Sequence, residues 1–253
     1  MYFETHAHYD DKKFDEDRNE ILNSLKENNI KYVVNVGADM KSSYDSIKLS
    51  QEYDFIYASV GVHPHEARNM KEEDYKTLEQ WLQYDKVVAL GEIGLDYYYD
   101  FSPREVQREV FKKQLKICEN ITKPVIIHSR DANQEVFDMI KESKVRKGVI
   151  HAFSGSLEMA LEYIKLGFFI GVGGVLTFKN ANKLVNVVEN IPLEYILIET
   201  DSPYLSPVPV RGTRNNSQNL KYIVEKISEI KHIERENVEK ITLETAKMFF
   251  CIK

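Results

Sequence analysis

Pro124-Val125-Ile126-Ile127-His128-Ser129-Arg130-Asp131 is the stretch on which the fold turns. Val125-Ile126-Ile127 is apolar on both faces, as a strand must be when helices cover one side and packed side chains fill the other. A histidine follows at once, at the carboxyl end. Outward from this stretch the same kind of run recurs, at Tyr2 to Thr5, Tyr32 to Val36, Ile56 to Val62, Val87 to Gly91, Gly148 to Ile150, Phe168 to Val172 and Tyr195 to Ile198. Between the runs lie segments such as Phe14 to Asn28, Lys41 to Glu52, Lys71 to Tyr84, Arg104 to Asn120 and Ala132 to Lys144, whose apolar residues recur every three to four positions, the helical period. Parallel strands need crossover connections, usually helices, so the alternation predicts an α/β protein with a parallel sheet. An open doubly wound sheet would show the same alternation. Eight runs, and polar residues at the ends of the first, fourth, fifth, sixth and eighth, favour a closed (β/α)8 barrel. A chain of 253 residues fits that barrel as a single domain, 1–253.

Six side chains suited to divalent metals, His6, His8, Glu92, His128, His151 and Asp201, stand at or just beyond strand ends. In a parallel barrel these ends share one face, so residues distant in sequence converge. His6 and His8 are two apart and point to one side of an extended chain. Taken alone they also fit two hydrogen-bonded core histidines. Glu92 follows Ala89-Leu90-Gly91, where an ionised carboxylate needs a metal or a cation such as Arg130. Asp96 is expected to hold a histidine or an arginine. Glu199 is expected to point away from Asp201 and to form a supporting salt bridge. Four histidines and two carboxylates exceed what one ion needs and supply what two ions about 3.5–4 Å apart require. Glu92 and Asp201 are the candidate catalytic carboxylates. The nitrogen and oxygen donors suit Zn, Mn, Fe, Co or Ni, with Mg open for activity.

His63 and His65 end the third run, while Arg130, Arg211 and Arg214 are planar donors that suit phosphate oxygens. These five are the candidate substrate-binding residues. Arg211 and Arg214 lie in a loop from Ser202 to Gln218 with three prolines, followed by two helices near Asn219 to Lys231 and Arg235 to Phe250. Tyr97, Tyr98 and Tyr99 are read either as stacking on bases or as packing under a helix. The net charge of −6 gives no global attraction to a phosphate backbone, so a nucleic-acid substrate must be held locally. Cys118 and Cys251 form no ligand or redox pair and are read as packing residues of a cytoplasmic protein. No apolar run approaches the roughly 20 residues needed to span a bilayer, and a monomer is expected.

Glu4-Thr5-His6-Ala7-His8, Gly61-Val62-His63-Pro64-His65, Gly91-Glu92-Ile93-Gly94-Leu95-Asp96-Tyr97, Ile127-His128-Ser129-Arg130, His151-Ala152-Phe153-Ser154-Gly155 and Glu199-Thr200-Asp201-Ser202-Pro203 together resemble the TatD family of metal-dependent deoxyribonucleases. The resemblance runs over nearly the whole chain. It implies a TIM barrel of the metal-dependent hydrolase superfamily, with one metal held by His6, His8 and Asp201, a second by His128 and His151, and Glu92 between them. It also implies that His63, His65, Arg130 and the Arg211 to Arg214 loop face the substrate, single-stranded or frayed DNA ends. An aminoacyl-tRNA or a small ester or amide is the alternative substrate on the same site, and a metal-bearing binding protein without turnover is the non-enzymatic one. The chain departs from the family at Glu4, where Asp is usual, at Thr245-Ala246, where Asn-Ala is usual, and at Asn216-Ser217, where proline commonly follows Arg-Asn.

Overall fold

A computed structural model describes residues 1–119 and 121–253. Eight parallel strands pair in chain order: β1 (Tyr2–Ala7), β2 (Ile30–Val36), β3 (Ile56–Val60), β4 (Val87–Asp96), β5 (Val125–Arg130), β6 (Gly148–Ile150), β7 (Phe168–Val172) and β8 (Ile196–Ile198). Helices α1 (Arg18–Leu25), α2 (Met40–Glu52), α3 (Glu72–Trp81), α4 (Arg104–Cys118), α5 (Asn133–Glu142), α6 (Leu157–Lys165) and α7 (Asn182–Asn190) cross between successive strands, and α8 (Leu220–Lys231) and α9 (Arg235–Phe250) follow β8. The chain is a TIM barrel. Asn120, the expected end of α4, lies outside the described residues.

Packing divides into two layers, as alternation of side chains along each strand requires. Val33, Ile56, Val87, Val125, Ile150, Phe168 and Ile196 pack outward with helical residues such as Leu22, Phe111, Val136, Val187 and Ile223. Phe3, Val34, Ala89, Ile126, Val149, Phe169 and Leu197 form the other cluster with Leu243, Ala246, Phe249 and Phe250 of α9. That cluster draws on strands from all round the barrel, so it is the barrel interior, and α9 plugs one end of it. His128, His151 and Glu199 stand two residues beyond Ile126, Val149 and Leu197, which carries them inward at the opposite mouth.

Several boundaries differ from those read in the sequence. β1 extends to Ala7 and β3 stops at Val60. The expected helix from Phe14 to Asn28 divides into a 3-10 turn at Lys12–Phe14 and the shorter α1. β4 continues to Asp96, so Glu92 lies within a strand rather than after it. The pairing of β4 with β5 slips between Leu90 and Ile93, and Gly94 (φ 149°) then lies against His128, where a β-carbon would stand 1.9 Å from the carbonyl oxygen. Only glycine allows this approach. Cys118 is buried as expected, whereas Cys251 is exposed in a left-handed turn just past the end of α9.

Among the described residues the β8–β1 seam is closed by one isolated bridge, Ala7 to Ser202, together with bonds from individual groups. The Asp201 N–H donates to the His6 carbonyl (2.9 Å), the His8 N–H to the Ser202 carbonyl (2.7 Å) and Thr5 Oγ1 to the Ile198 carbonyl (2.9 Å). Glu4, wholly buried, accepts from Thr200 N (2.9 Å), Thr200 Oγ1 (2.6 Å) and His6 N (3.2 Å). Its carboxylate thus couples the strand that carries His6 and His8 to the one that leads into Asp201. Among the described residues no helix is long and apolar enough to cross a membrane.

Candidate metal centre

All six candidate ligands meet at one mouth of the barrel. His6 Nε2 and His8 Nε2 are 3.1 Å apart, each delivered by the end of β1. Glu92 Oε2 lies 3.4 Å from His6 Nε2 and 3.9 Å from His8 Nε2, and Asp201 Oδ1 lies 3.9 and 3.4 Å from the same two atoms. The other Glu92 oxygen, Oε1, faces a different group: His128 Nδ1 at 2.8 Å, His63 Nε2 at 3.7 Å and His151 Nε2 at 3.7 Å. Asp201 takes a left-handed backbone (φ 56°), which turns the chain back over the mouth after β8. Non-glycine residues in that region cluster at functional sites, where the surroundings hold them.

Hydrogen-bond partners set the tautomers, and the tautomers sort donors from ligands. His8 Nδ1 lies 2.7 Å from the Val36 carbonyl and so keeps its proton, and Nε2, aimed into the cluster, offers a lone pair once its own proton is released. Glu199 Oε1 stands 3.0 Å from His151 Nδ1, close but off hydrogen-bond geometry, and turns that ring's Nε2 inward too. The same Glu199 oxygen accepts from Ala152 N at 2.6 Å. The expectation that Glu199 points away from Asp201 is therefore corrected: residues two apart share a side, and the two carboxylates meet opposite edges of His151. His128 is held at Nε2 by Asp96 Oδ2 (3.0 Å), which also takes His65 Nε2 (2.9 Å), so Asp96 holds two histidines and no arginine. His63 differs. Its Nδ1 accepts from His65 N (3.1 Å), so a neutral ring presents an N–H rather than a lone pair at Nε2.

The buried charges balance locally. Burial opposes ionisation of Glu92, but the neighbouring His151 and His63 rings and hydrogen bonds from His128 and His6 outweigh it and hold the carboxyl well below its usual range. Burial likewise opposes charge on Asp201, and the bond with His8 and neighbouring imidazoles keep it ionised. Burial lowers His8, yet Asp201 and Glu92 push it up to about 9. For His151 burial is overcome by Glu199 and Glu92, which push it to about 10. Burial and the charge of His151 lower His6, and burial with His128 lowers His63 well below the ordinary imidazole value. Donor atoms of His6, His8 and Glu92, of His63, Glu92 and His128, and of His6, His151 and Glu199 each lie within 4.8 Å of one another. His6 Nδ1 is buried without a hydrogen-bond partner. Converging lone pairs on ionised carboxylates and mixed imidazoles fit divalent cations.

The arginines stand elsewhere. Arg130 lies over the Tyr98 ring (4.1 Å) and near Tyr99 (4.8 Å) rather than at Glu92. Arg211 covers Phe178 at 4.2 Å. Arg214 pairs through both terminal nitrogens with Asp17 and donates to the Lys13 carbonyl, so it ties the β8 loop to the segment after β1. With Lys12, Lys13, Glu16, Pro203 and Thr213 it lines a cavity of about 530 Å³. Of the three tyrosines, Tyr97 packs, its OH bonded to Glu135 (2.7 Å) and Arg104 over its ring, while Tyr98 and Tyr99 are exposed. Glu4 stood out in the sequence only as a departure from the usual Asp, and a charged residue within the apolar run Tyr2-Phe3-Glu4 was the further signal for its buried role. Nothing in the sequence pointed to Phe101.

Comparison with known proteins agrees with this geometry. The family model described as TatD related DNase matches residues 3–251. The uncharacterized metal-dependent hydrolase YabD of Bacillus subtilis is 42% identical over 254 residues, covering 100% of both chains. MJ1582 of Methanocaldococcus jannaschii, an uncharacterized metal-dependent hydrolase, is 34% identical, with 98% of this chain and 96% of that one covered. The crystal structure of YjjV, a TatD homolog from Escherichia coli, superposes with a TM-score of 0.94 at 29% identity, covering 100% of this chain and 98% of the other. The chain belongs to the TatD family and is a metal-dependent hydrolase.

Proposed function

We propose that the protein hydrolyses phosphodiester bonds of DNA at single-stranded or frayed ends, using two divalent ions. The observation that carries this reading is the division of Glu92, whose Oε2 faces His6 and His8 while Oε1 faces His128 and His151. On this reading His6, His8 and Asp201 would hold one ion and His128 and His151 the other, with one Glu92 oxygen available to each. When bound, such ions acidify water to near-neutral pKa and stabilise charge at the attacking and leaving oxygens of a phosphodiester.

The chain's own groups supply the rest. Asp201, ionised and with Oδ1 set among three imidazoles, accepts the proton of the attacking water on its other oxygen. His63 presents an N–H to a non-bridging phosphate oxygen, and Asp96 keeps His128 and His65 in register. Glu199 orients His151. Lys12, Lys13 and the exposed Arg130 offer local cationic contacts on a chain of net charge −6, so few phosphates are neutralised at once and binding depends shallowly on salt. The same charge balance suits a small ester, and a panel of DNA, mischarged tRNA and small esters at matched Mg²⁺ or Mn²⁺ separates the substrates by relative rate.

Glu92→Ala is the decisive variant. It is expected to abolish cleavage of end-labelled single-stranded oligonucleotides and to lower metal stoichiometry, with the circular-dichroism spectrum unchanged. Full turnover by a folded Glu92→Ala protein would overturn the two-ion reading.

A further inference from the structure

The loop between β4 and α4 carries three large aromatic side chains that the core does not use. Tyr98, Tyr99 and Phe101 are 58%, 47% and 53% exposed, within four consecutive positions, at the mouth that holds the metal centre. Tyr99 and Phe101 already stack on each other, with centroids 5.2 Å apart and planes 22° from parallel. Arg130 lies 4.1 Å over Tyr98 and, among the described residues, has no carboxylate partner. Flat rings beside an unpaired guanidinium match a base carried on a phosphate backbone, since bases stack on aromatic faces and on arginine planes.

The backbone beneath these exposed rings is fixed. Asp96 Oδ1 accepts from Tyr98 N (3.1 Å) and Tyr99 N (2.9 Å), while its Oδ2 holds His128 and His65. Buried Gln107 accepts from Asp96 N and donates to the Asp96 and Ser102 carbonyls. Ser102 in turn donates to the His65 carbonyl (2.8 Å). One buried carboxylate therefore ties both a histidine at Glu92 and the loop of rings, which places the rings in a set position relative to the centre. The His65 ring meets Tyr99 and Phe101 edge-on, at 5.4 and 4.8 Å, and fills the space between them and His128.

We propose that this loop is a nucleobase platform: Tyr98 and Phe101, beside Arg130, receive an unpaired base next to the scissile phosphate of a single-stranded nucleic acid. The proposal rests on the nuclease reading above and adds to it the group that is recognised. A base held in a duplex would keep its own stacking partners and gain little from these rings, so the platform selects frayed and single-stranded ends.

The test uses the full-length, metal-loaded protein and its Tyr98→Ala/Phe101→Ala variant. Both substitutions fall on exposed side chains, and circular dichroism checks that the fold is kept. Single-stranded oligonucleotides carrying 2-aminopurine at one terminal nucleotide, or an abasic tetrahydrofuran spacer at that position, are compared for each end in turn. Wild type is expected to quench the 2-aminopurine and the variant not to. KM for the base-bearing strand should rise on the order of tenfold in the variant, with kcat within about twofold and the spacer strand unaffected. An equal effect on both strands, or none on either, overturns the platform while leaving the nuclease reading intact. Cleavage of neither strand by wild type overturns that reading and the platform with it. A wild-type dimer that the variant dissolves, without any change in quenching, assigns the rings to self-association and also overturns the proposal.

Discussion

Replacing Gly94 by alanine tests whether the close approach of β4 and β5 sets the centre. The added β-carbon would stand 1.9 Å from the His128 carbonyl oxygen and 3.0 Å from its nitrogen, both backbone atoms that cannot rotate away. Reaching ordinary contact requires β5 to move by about 1.5 Å. Overpacking of this kind costs about 1–3 kcal/mol, and the positive φ adds about 1–2 kcal/mol for a residue with a β-carbon. A loss of roughly 3 kcal/mol follows, equivalent to about 10 °C in midpoint for a chain of this size. The displacement acts directly on His128, which now sits 2.8 Å from Glu92 and 3.0 Å from Asp96. Misplacement by an ångström typically costs on the order of 10²-fold in rate. Urea unfolding, metal stoichiometry and hydrolysis are measured on Gly94→Ala beside Gly212→Ala. Gly212 has φ 90° but nothing within 4 Å of an added β-carbon, so it carries the backbone cost alone. If Gly94→Ala loses no more stability than Gly212→Ala and binds metal normally, the strand contact does not position His128.

Three further perturbations probe the groups around the centre. Because Asp201 and Glu92 push His8 up to about 9 and Glu199 and Glu92 push His151 up to about 10, the metal-free site holds protons on both at pH 7. Metal binding must release them, so apparent affinity rises with pH until about 9–10. Calorimetry in buffers of different ionisation enthalpy reads the release, and a proton count of zero at pH 7 would contradict it. Glu199→Ala removes the carboxylate beside His151 and the acceptor for Ala152 N, and metal affinity should fall about 10–100-fold, which a competition titration with a chelator checks. For Glu4, burial raises the carboxyl from 4.5 to about 7 against the bonds from Thr200 and His6. The folded state then binds the proton more tightly than the unfolded one, so this group costs stability progressively as pH rises from about 4.5 through 7, by about 3 kcal/mol in all. Metal-free Glu4→Gln lacks that dependence, and parallel denaturation curves for wild type and variant across this range would refute it.

What the sequence determined on its own is local. Apolar runs such as Val125-Ile126-Ile127 and helix-length segments of 3.6-residue period are properties of a few neighbouring residues, and their alternation leads to a parallel sheet crossed by helices, with the count of eight runs and the polar residues at their ends favouring a closed barrel over an open sheet. Metal-binding residue types at strand ends were legible for the same reason, since a parallel barrel brings those ends to one face. Tertiary structure alone decided what depended on distant partners and side-chain rotamers. Glu4 reaches Thr200 across 196 positions, and Arg214 meets Asp17 across 197. The slip in register that puts Glu92 inside β4 arises from contact with β5, which no pattern within β4 records. Tyr97 turns inward while Tyr98 and Tyr99 face solvent, although the three are chemically identical, because Glu135 and Arg104 wait for only one of them. The two oxygens of Glu92 take different histidines because strands β1, β5 and β6 converge around it, a division fixed by the shape of the barrel mouth rather than by any residue's place in the sequence.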